Sequence, residues 1–219
     1  MEIKVVSNVL RTNDLLAEEN SALFEKEGIL AINVMGSPGA GKTSLLLCTI
    51  EALKNDLRIG VIEGDIATTY DAELIRETGV EVVQINTDGA CHLDAHMIKR
   101  ALVYFNLSAL DLLLIENVGN LVCPASFGLG EAIKVVVSSV PEGDDKPKKY
   151  PAIFKAADCA LLNKIDLLEA LEFNPARFRE DLLKIKEGLE IFELSCRSNE
   201  GLSFWIDWLK KQRCAQVLG

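Results

Sequence analysis

No two of the 6 cysteines in this 219-residue chain are spaced as CxxC, which excludes a self-contained zinc ribbon and argues against a disulfide framework. Basic residues are outnumbered: 23 Lys and Arg against 33 Asp and Glu leave a net charge of -10, with no Lys/Arg-rich run to offset it. Such a chain repels phosphate backbones, so nucleic acid is not an expected partner. Nor is a membrane, because Asp111 and Glu116 interrupt the richest apolar stretch, well short of the roughly 18 residues that a span requires. The amino-terminal MEIKVVSNVLRTND lacks the apolar core and small-residue cleavage site of a signal peptide. A cytoplasmic location with reduced cysteines is therefore expected. Repeats and low-complexity tracts are missing too, while a hydrophobic content of 49% is ample for one globular core.

Residues 1–28 read as an amphipathic helical extension in which Val9, Leu16 and Leu23 recur every seven positions and Gly28 supplies the stop. Residues 29–219 alternate short apolar runs with helix-length segments. The runs are Leu30 to Met35, Arg58 to Glu63, Glu81 to Ile85, Asp111 to Glu116, Ile133 to Val137, Ala160 to Asn163 and Ile191 to Leu194. Short runs that are apolar throughout and separated by helices are the pattern of buried parallel strands joined by right-handed crossovers. The expected fold is a single α/β domain with a mainly parallel central sheet and helices on both faces. PEGDDKPKKYP, from Pro141 to Pro151, reads as a charged surface loop, and Phe204, Trp205, Trp208 and Leu209 read as the core face of a closing helix.

Immediately after the first predicted strand stands GSPGAGKT: Gly36, Ser37, Pro38, Gly39, Ala40, Gly41, Lys42 and Thr43, followed by Ser44 and a helical run. Glycines at this Walker A spacing let successive backbone N–H groups turn toward phosphate oxygens, and the following helix adds partial positive charge. Lys42 then reaches the β and γ phosphates, and Thr43 offers its hydroxyl to Mg²⁺. The base is indicated by NKID, in which Asn163, Lys164 and Asp166 close an apolar run as the guanine-reading loop of GTPases does. A carboxylate at Asp166 accepts from both guanine N1–H and the exocyclic amine, a donor pair that adenine lacks. Ser195 and Cys196 open SCRSNEG, which is similar to the GTPase segment beside the base, with Cys196 and Arg197 at the usual Ala and Lys positions.

Between these motifs lie candidates for magnesium binding and hydrolysis. Asp65 ends the second run and Asp71 follows it by six residues; Glu116 closes the fourth run, and Gly119 in ENVGN offers an amide to the γ-phosphate. Lys42, Asp65, Asp71 and Glu116 are thus the expected catalytic set. Both histidines of the chain fall in ACHLDAH, where His92 and His96 stand at i and i+4, a spacing that puts them on one face if the segment is helical. Cys91 adjoins the first of them. Cys123 lies four residues beyond Gly119, and loops at one edge of a parallel sheet converge, so Cys91, His92 and Cys123 can meet. Thiolates with imidazole suit Zn²⁺ or Ni²⁺. Cys48 and Cys159 read instead as small buried hydrophobes.

Taken together, GSPGAGKT, CHLDAH, ENVGNLVCPASF and NKID resemble the HypB family of hydrogenase maturation GTPases, over roughly residues 30 to 200. The resemblance implies a P-loop GTPase of the dimerising SIMIBI class, which also holds the urease accessory GTPase UreG. It implies a homodimer formed on GTP binding, with nickel or zinc held at the interface by Cys91, His92 and Cys123; His96 matches the family's second histidine as a possible further ligand. Implied partners are a HypA-like maturation protein and the hydrogenase large subunit. The amino terminus has neither the histidine-rich tract nor the CxxCGC motif of some members, so a separate nickel store is not expected. Three other readings stand beside this one: a urease- or cobalamin-type metallochaperone GTPase, an ATP-dependent small-molecule kinase, and a metal-free regulatory GTPase.

Overall fold

The structure, a computed structural model, describes residues 9–65 and 69–218. Residues 1–8 of the expected extension, and the side chain of Val9, lie outside what it describes. In chain order the elements are α1 (Val9–Glu27), β1 (Leu30–Gly36), α2 (Lys42–Leu53), β2 (Ile59–Asp65), α3 (Tyr70–Glu77), β3 (Glu81–Asn86), α4 (Ala95–Leu102) and β4 (Leu112–Glu116). They continue as β5 (Ile133–Ser139), α5 (Lys146–Lys149), α6 (Pro151–Ala156), β6 (Cys159–Asn163), α7 (Pro175–Ile185), β7 (Glu190–Glu193) and α8 (Leu202–Leu218). Every apolar run expected to be a strand is one, displaced by no more than two residues at either end. The strands form one sheet in the order β3-β2-β4-β1-β5-β6-β7, and every neighbouring pair is parallel.

Alternation along β1 divides the core between the two faces. Leu30, Ile32 and Val34 pack beneath α2 and α8 with Leu45, Leu46, Ile50 and Trp205. Ala31 faces the other way with Phe24 of α1 and Ile98 and Leu102 of α4, while Met35, on the same face, meets Ile153, Phe154 and Phe178 of α6 and α7. The connection that leaves β1 runs to β2, toward one edge of the sheet, and the one that leaves the adjacent β4 runs to β5, toward the other. A cleft opens at such a point in α/β sheets. Among the described residues, no helix is long and apolar enough to cross a membrane.

Two sequence expectations are corrected. Pro141 to Pro151 is not an open loop: Pro141, Pro147 and Pro151 each stand first or second in a short helical turn, and Ser139 and Glu142 close a capping box. Proline read as a breaker is equally suited to a first helical turn, where its missing N–H has no intrahelical partner to lose. In α8, Trp205 and Leu209 are core, and the Trp205 indole donates to Thr49 Oγ1 at 2.9 Å, but Phe204 is 71% exposed. Its neighbour Trp205 takes the inward-facing position. Gly28 ends α1 as expected, in the left-handed conformation, with the Ile29 N–H returning to the Phe24 carbonyl at 2.8 Å.

Candidate functional site

The P-loop runs from the end of β1 into α2 and lines a cleft of about 640 Å³ together with Asp65, Asp71, Glu116 and Gly119. Gly41 holds a left-handed φ of 95°, and a side chain there would meet the Asn163 amide. Lys42 is buried; its ammonium donates to the Ser37 carbonyl at 3.4 Å and lies 4.0 Å from Glu116 Oε1. Thr43 Oγ1 donates to the same Glu116 oxygen at 2.9 Å. Ser37 donates to Glu142, so the proline-rich segment braces the P-loop from outside.

Glu63, which the motif reading passed over, belongs to this cluster. One oxygen each from Glu63, Asp65 and Asp71 lie within 4.8 Å of one another. Oε2 of Glu63 and Oε2 of Glu116 are both buried without a hydrogen-bond partner. Burial, reinforced by the neighbouring Glu116, Asp65 and Asp71, pushes the Glu63 carboxyl up to about 8. Burial likewise raises Glu116 to about 7, against the opposing pull of Lys42 and Thr43. Crowded carboxylates with unsatisfied oxygens and too little positive charge are a donor set suited to a hard divalent cation. The signal for Glu63 in the sequence was its place two residues before Asp65, on the same face of β2.

A second recess adjoins the P-loop, formed by Ser44, Asn163, Lys164, Asp166, Ser195 and Cys196 among others. Lys164 adopts a left-handed conformation, with a φ of 62°, and its ammonium donates to the Gly39 carbonyl at 2.7 Å. Asn163 donates to the Ala40 carbonyl at 3.3 Å and accepts from the Cys196 amide at 3.3 Å, tying phosphate loop to base loop. Ser195 Oγ donates to Asp166 Oδ1 at 2.6 Å and so aims that carboxylate. Cys159 is buried in β6; Cys48, on α2, is only half-buried and its thiol lies 3.5 Å from the Cys196 carbonyl.

Cys91, His92 and Cys123 come together beside the cleft, with one ligand atom from each within 4.8 Å of the others. The two sulfurs are 2.8 Å apart, and Cys91 Sγ is 3.7 Å from His92 Nδ1. Contact with Cys123 holds the Cys91 thiol above its ordinary range, whereas burial lowers His92 and favours the neutral imidazole that a metal requires. The ring of Phe127 lies on that imidazole, centroid to centroid 3.9 Å. His96 stands apart from this cluster. The i, i+4 reading fails because α4 begins only at Ala95, after Asp94 caps it through the Met97 amide, so His92 precedes the helix and His96 points outward, exposed.

Two asparagines of ENVGN to which the motif reading assigned no role connect cleft and cluster. Asn120 donates through its main chain to the Gly36 carbonyl at 3.0 Å and through its side chain to the Cys91 carbonyl at 3.1 Å. Asn117, fully buried after Glu116, accepts from the Leu93 amide at 3.0 Å and donates to Asn33 of β1 at 3.1 Å. The sequence sets them in a recognisable motif but does not show what they bond, because those contacts are made across the fold.

Comparison with known proteins shows the family. Residues 30–193 match the family described as CobW/HypB/UreG, nucleotide-binding domain. The hydrogenase maturation factor HypB of Rhizobium leguminosarum bv. viciae is 50% identical over 95% of this chain and 70% of its own length. The crystal structure of HypB from Archaeoglobus fulgidus superposes with a TM-score of 0.87 at 42% identity, covering 93% of this chain and 99% of that one. That of HypB from Helicobacter pylori in complex with nickel does so with a TM-score of 0.89 at 40% identity, covering 93% and 96%. The chain therefore belongs to the HypB family of hydrogenase maturation factors, within the CobW/HypB/UreG nucleotide-binding class.

Proposed function

We propose that this protein is a GTP-hydrolysing nickel metallochaperone of [NiFe]-hydrogenase maturation, with residues 29–219 as the GTPase domain and residues 1–28 as a helical extension. GTP is the substrate. Its phosphates rest on the P-loop amides between Gly36 and Ser44 with Lys42 facing the transferred group, and the Gly119 amide senses the γ-phosphate. Its base lies beside Lys164, Ser195 and Cys196, where Asp166, aimed by Ser195, reads the guanine N1–H and amine. Thr43, Glu63, Asp65, Asp71 and Glu116 would hold magnesium, a role supported by the orphaned Glu63 and Glu116 oxygens. Bound there, the ion supplies neutralisation of the charge that gathers on the phosphates.

Nickel is cargo, taken up by Cys91, His92 and Cys123, with zinc as a competitor for the same soft donors. Three ligands leave a four-coordinate shell one short, and a symmetric partner subunit supplies the opposing set. Tyr70 and Val122, 66% and 62% exposed at the cleft and beside Cys123, support an interface there. A HypA-like protein and the hydrogenase large subunit are the partners in nickel delivery, and the setting is the cytoplasm.

The observation that carries this reading is Asn120, which bonds the first P-loop glycine with one group and the Cys91 carbonyl with another. A nucleotide-dependent shift of the segment from Glu116 to Cys123 must move metal ligands with it. Titrating wild type, Cys91→Ala and Cys123→Ala with nickel while following GTP turnover is the test. Both variants lose stoichiometric nickel and keep GTP hydrolysis; equal nickel affinity in wild type and Cys123→Ala overturns the assignment.

A further inference from the structure

Helix α1 lies outside the matched family region, yet it carries two deeply buried asparagines, Asn13 and Asn20, 5% and 1% exposed. Heptad spacing sets both on one face. Asn13 accepts from the Ala95 amide and donates to the Gly128 carbonyl, each at 2.9 Å. Asn20 uses both amide hydrogens, donating to the Ala95 and Leu129 carbonyls, again each at 2.9 Å. Ala95 is the first residue of α4, three positions after His92, and its N–H is one of the first-turn donors that no helix satisfies internally. Gly128 follows Phe127, the ring that lies on the His92 imidazole. At Gly130, with φ 94°, a side chain would stand 2.6 Å from the Ala17 carbonyl and 2.6 Å from Asn20 Cβ, so the loop is seated against α1 without room for one. Lys99 of α4 adds an ion pair to Glu19 at 2.5 Å.

We infer that Asn13 and Asn20 are positioning residues for the nickel site: α1 is a back plate that fixes the Cys91–His92 loop and the Cys123–Leu129 loop relative to each other. This rests on the nickel reading proposed above. Neither asparagine contacts a ligand atom. Each holds backbone that fixes where a ligand or its neighbour stands, as outer-shell partners of metal sites do, and loss of such a partner typically weakens metal affinity by about 10- to 100-fold.

Replacement by aspartate separates positioning from packing, because size is kept while donors are lost. Asn13→Asp retains the acceptor for the Ala95 amide but sets a carboxylate oxygen against the Gly128 carbonyl; Asn20→Asp does so against both of its carbonyl partners. Nickel affinity by chelator competition, the thiolate-to-nickel charge-transfer band, and GTP and GDP affinities are measured on the full chain. Expected are nickel binding weaker by about 10-fold or more and an altered charge-transfer band, with nucleotide affinities unchanged within about twofold. Unaltered nickel affinity and spectrum in both variants overturn the inference, even if thermal stability falls. Should the variants not fold, hydrogen exchange on wild type decides: nickel slows exchange in α1 as well as in the two loops, and an α1 indifferent to nickel refutes the inference. A wild type that binds nickel through Cys123 while the asparagine variants match it defeats this inference alone, whereas a wild type that binds none removes the nickel reading and this inference together.

Discussion

The nucleotide cleft and the thiol cluster lie side by side but are built differently. Cleft residues stand at the ends of central strands and the start of α2, with Lys42 and Glu116 at 7% and 4% exposure, already paired with one another while Lys42 donates to the Ser37 carbonyl and Glu116 accepts from Thr43. Cluster residues stand on surface loops: Cys91 is exposed, and His92 and Cys123 are half-buried. One site is a pocket of paired residues, and the other presents three soft donors on loops. Preformed geometry suits a reaction in which positioning and electrostatics carry most of the catalysis. Donors on exposed loops suit the proposed handling of an ion that is gained and later surrendered.

The largest effect that would separate the two regions comes from Lys42→Ala. Removing the buried ammonium should lower GTP turnover by at least about 100-fold while nickel binding persists, read by phosphate release beside a nickel titration. Parallel loss of both functions would make the regions one cooperative unit. Asp166→Asn should weaken GTP binding by about 1.5–3 kcal/mol, because a charge-assisted acceptor becomes a donor, and should bring a gain in hydrolysis of xanthosine triphosphate. Unchanged GTP affinity there would remove the guanine assignment. A smaller change is Asn120→Ala, which deletes the side-chain bonds to the Cys91 carbonyl and from the Val122 amide and leaves the main-chain bond to Gly36. Calorimetry with nickel should show the affinity difference between nucleotide states shrinking several-fold toward none, with GTP affinity retained; an undiminished difference would place the link elsewhere.

The smallest effect belongs to the opposite end of β4. There Asp111 receives Arg58 through two guanidinium bonds of 2.8 and 2.9 Å and Arg213 at 3.1 Å, and these partners hold its carboxyl well below the usual range. A depressed carboxyl contributes stability above its unfolded pKa and loses it as pH falls through the folded one. Asp111→Asn should therefore cost about 0.5–1 kcal/mol at pH 7, discounted for solvent screening, with the gap narrowing below about pH 4. Thermal melts across pH check it, and both sites should work normally at pH 7 in this variant.

What was readable in the sequence follows the same division. The five inner strands, β2, β4, β1, β5 and β6, declared themselves because they are buried on both faces, whereas the part-exposed edge strands β3 and β7 were marked by short apolar runs alone; GSPGAGKT and NKID were legible because their backbone requirements are local: Gly41 and Lys164 both sit at positive φ. The cysteines and His92 could be singled out by residue type. Not readable was the wiring between regions. Asn13, Asn20, Asn117 and Asn120 act on backbone groups remote in sequence, and asparagine in a helix or loop carries no periodicity that marks such a contact. Glu63 was hidden for a different reason: read as the last residue of its run, it passes for a strand end until Glu116 appears beside it in register. His96 misled because the i, i+4 rule presumes a helix that begins three residues too late to include His92.

The central claim is that nucleotide state sets nickel affinity through the segment joining Gly36, Asn120 and Cys91. Nickel isotherms recorded with a non-hydrolysable GTP analogue and with GDP, at protein concentrations where both forms are dimeric, test it most directly. Tighter nickel binding in the GTP-analogue state, by about 5- to 150-fold, is the expected result, and nickel must then favour GTP over GDP by the same factor. Indistinguishable isotherms would contradict the direct link and leave dimerisation as the sole connection between the two sites.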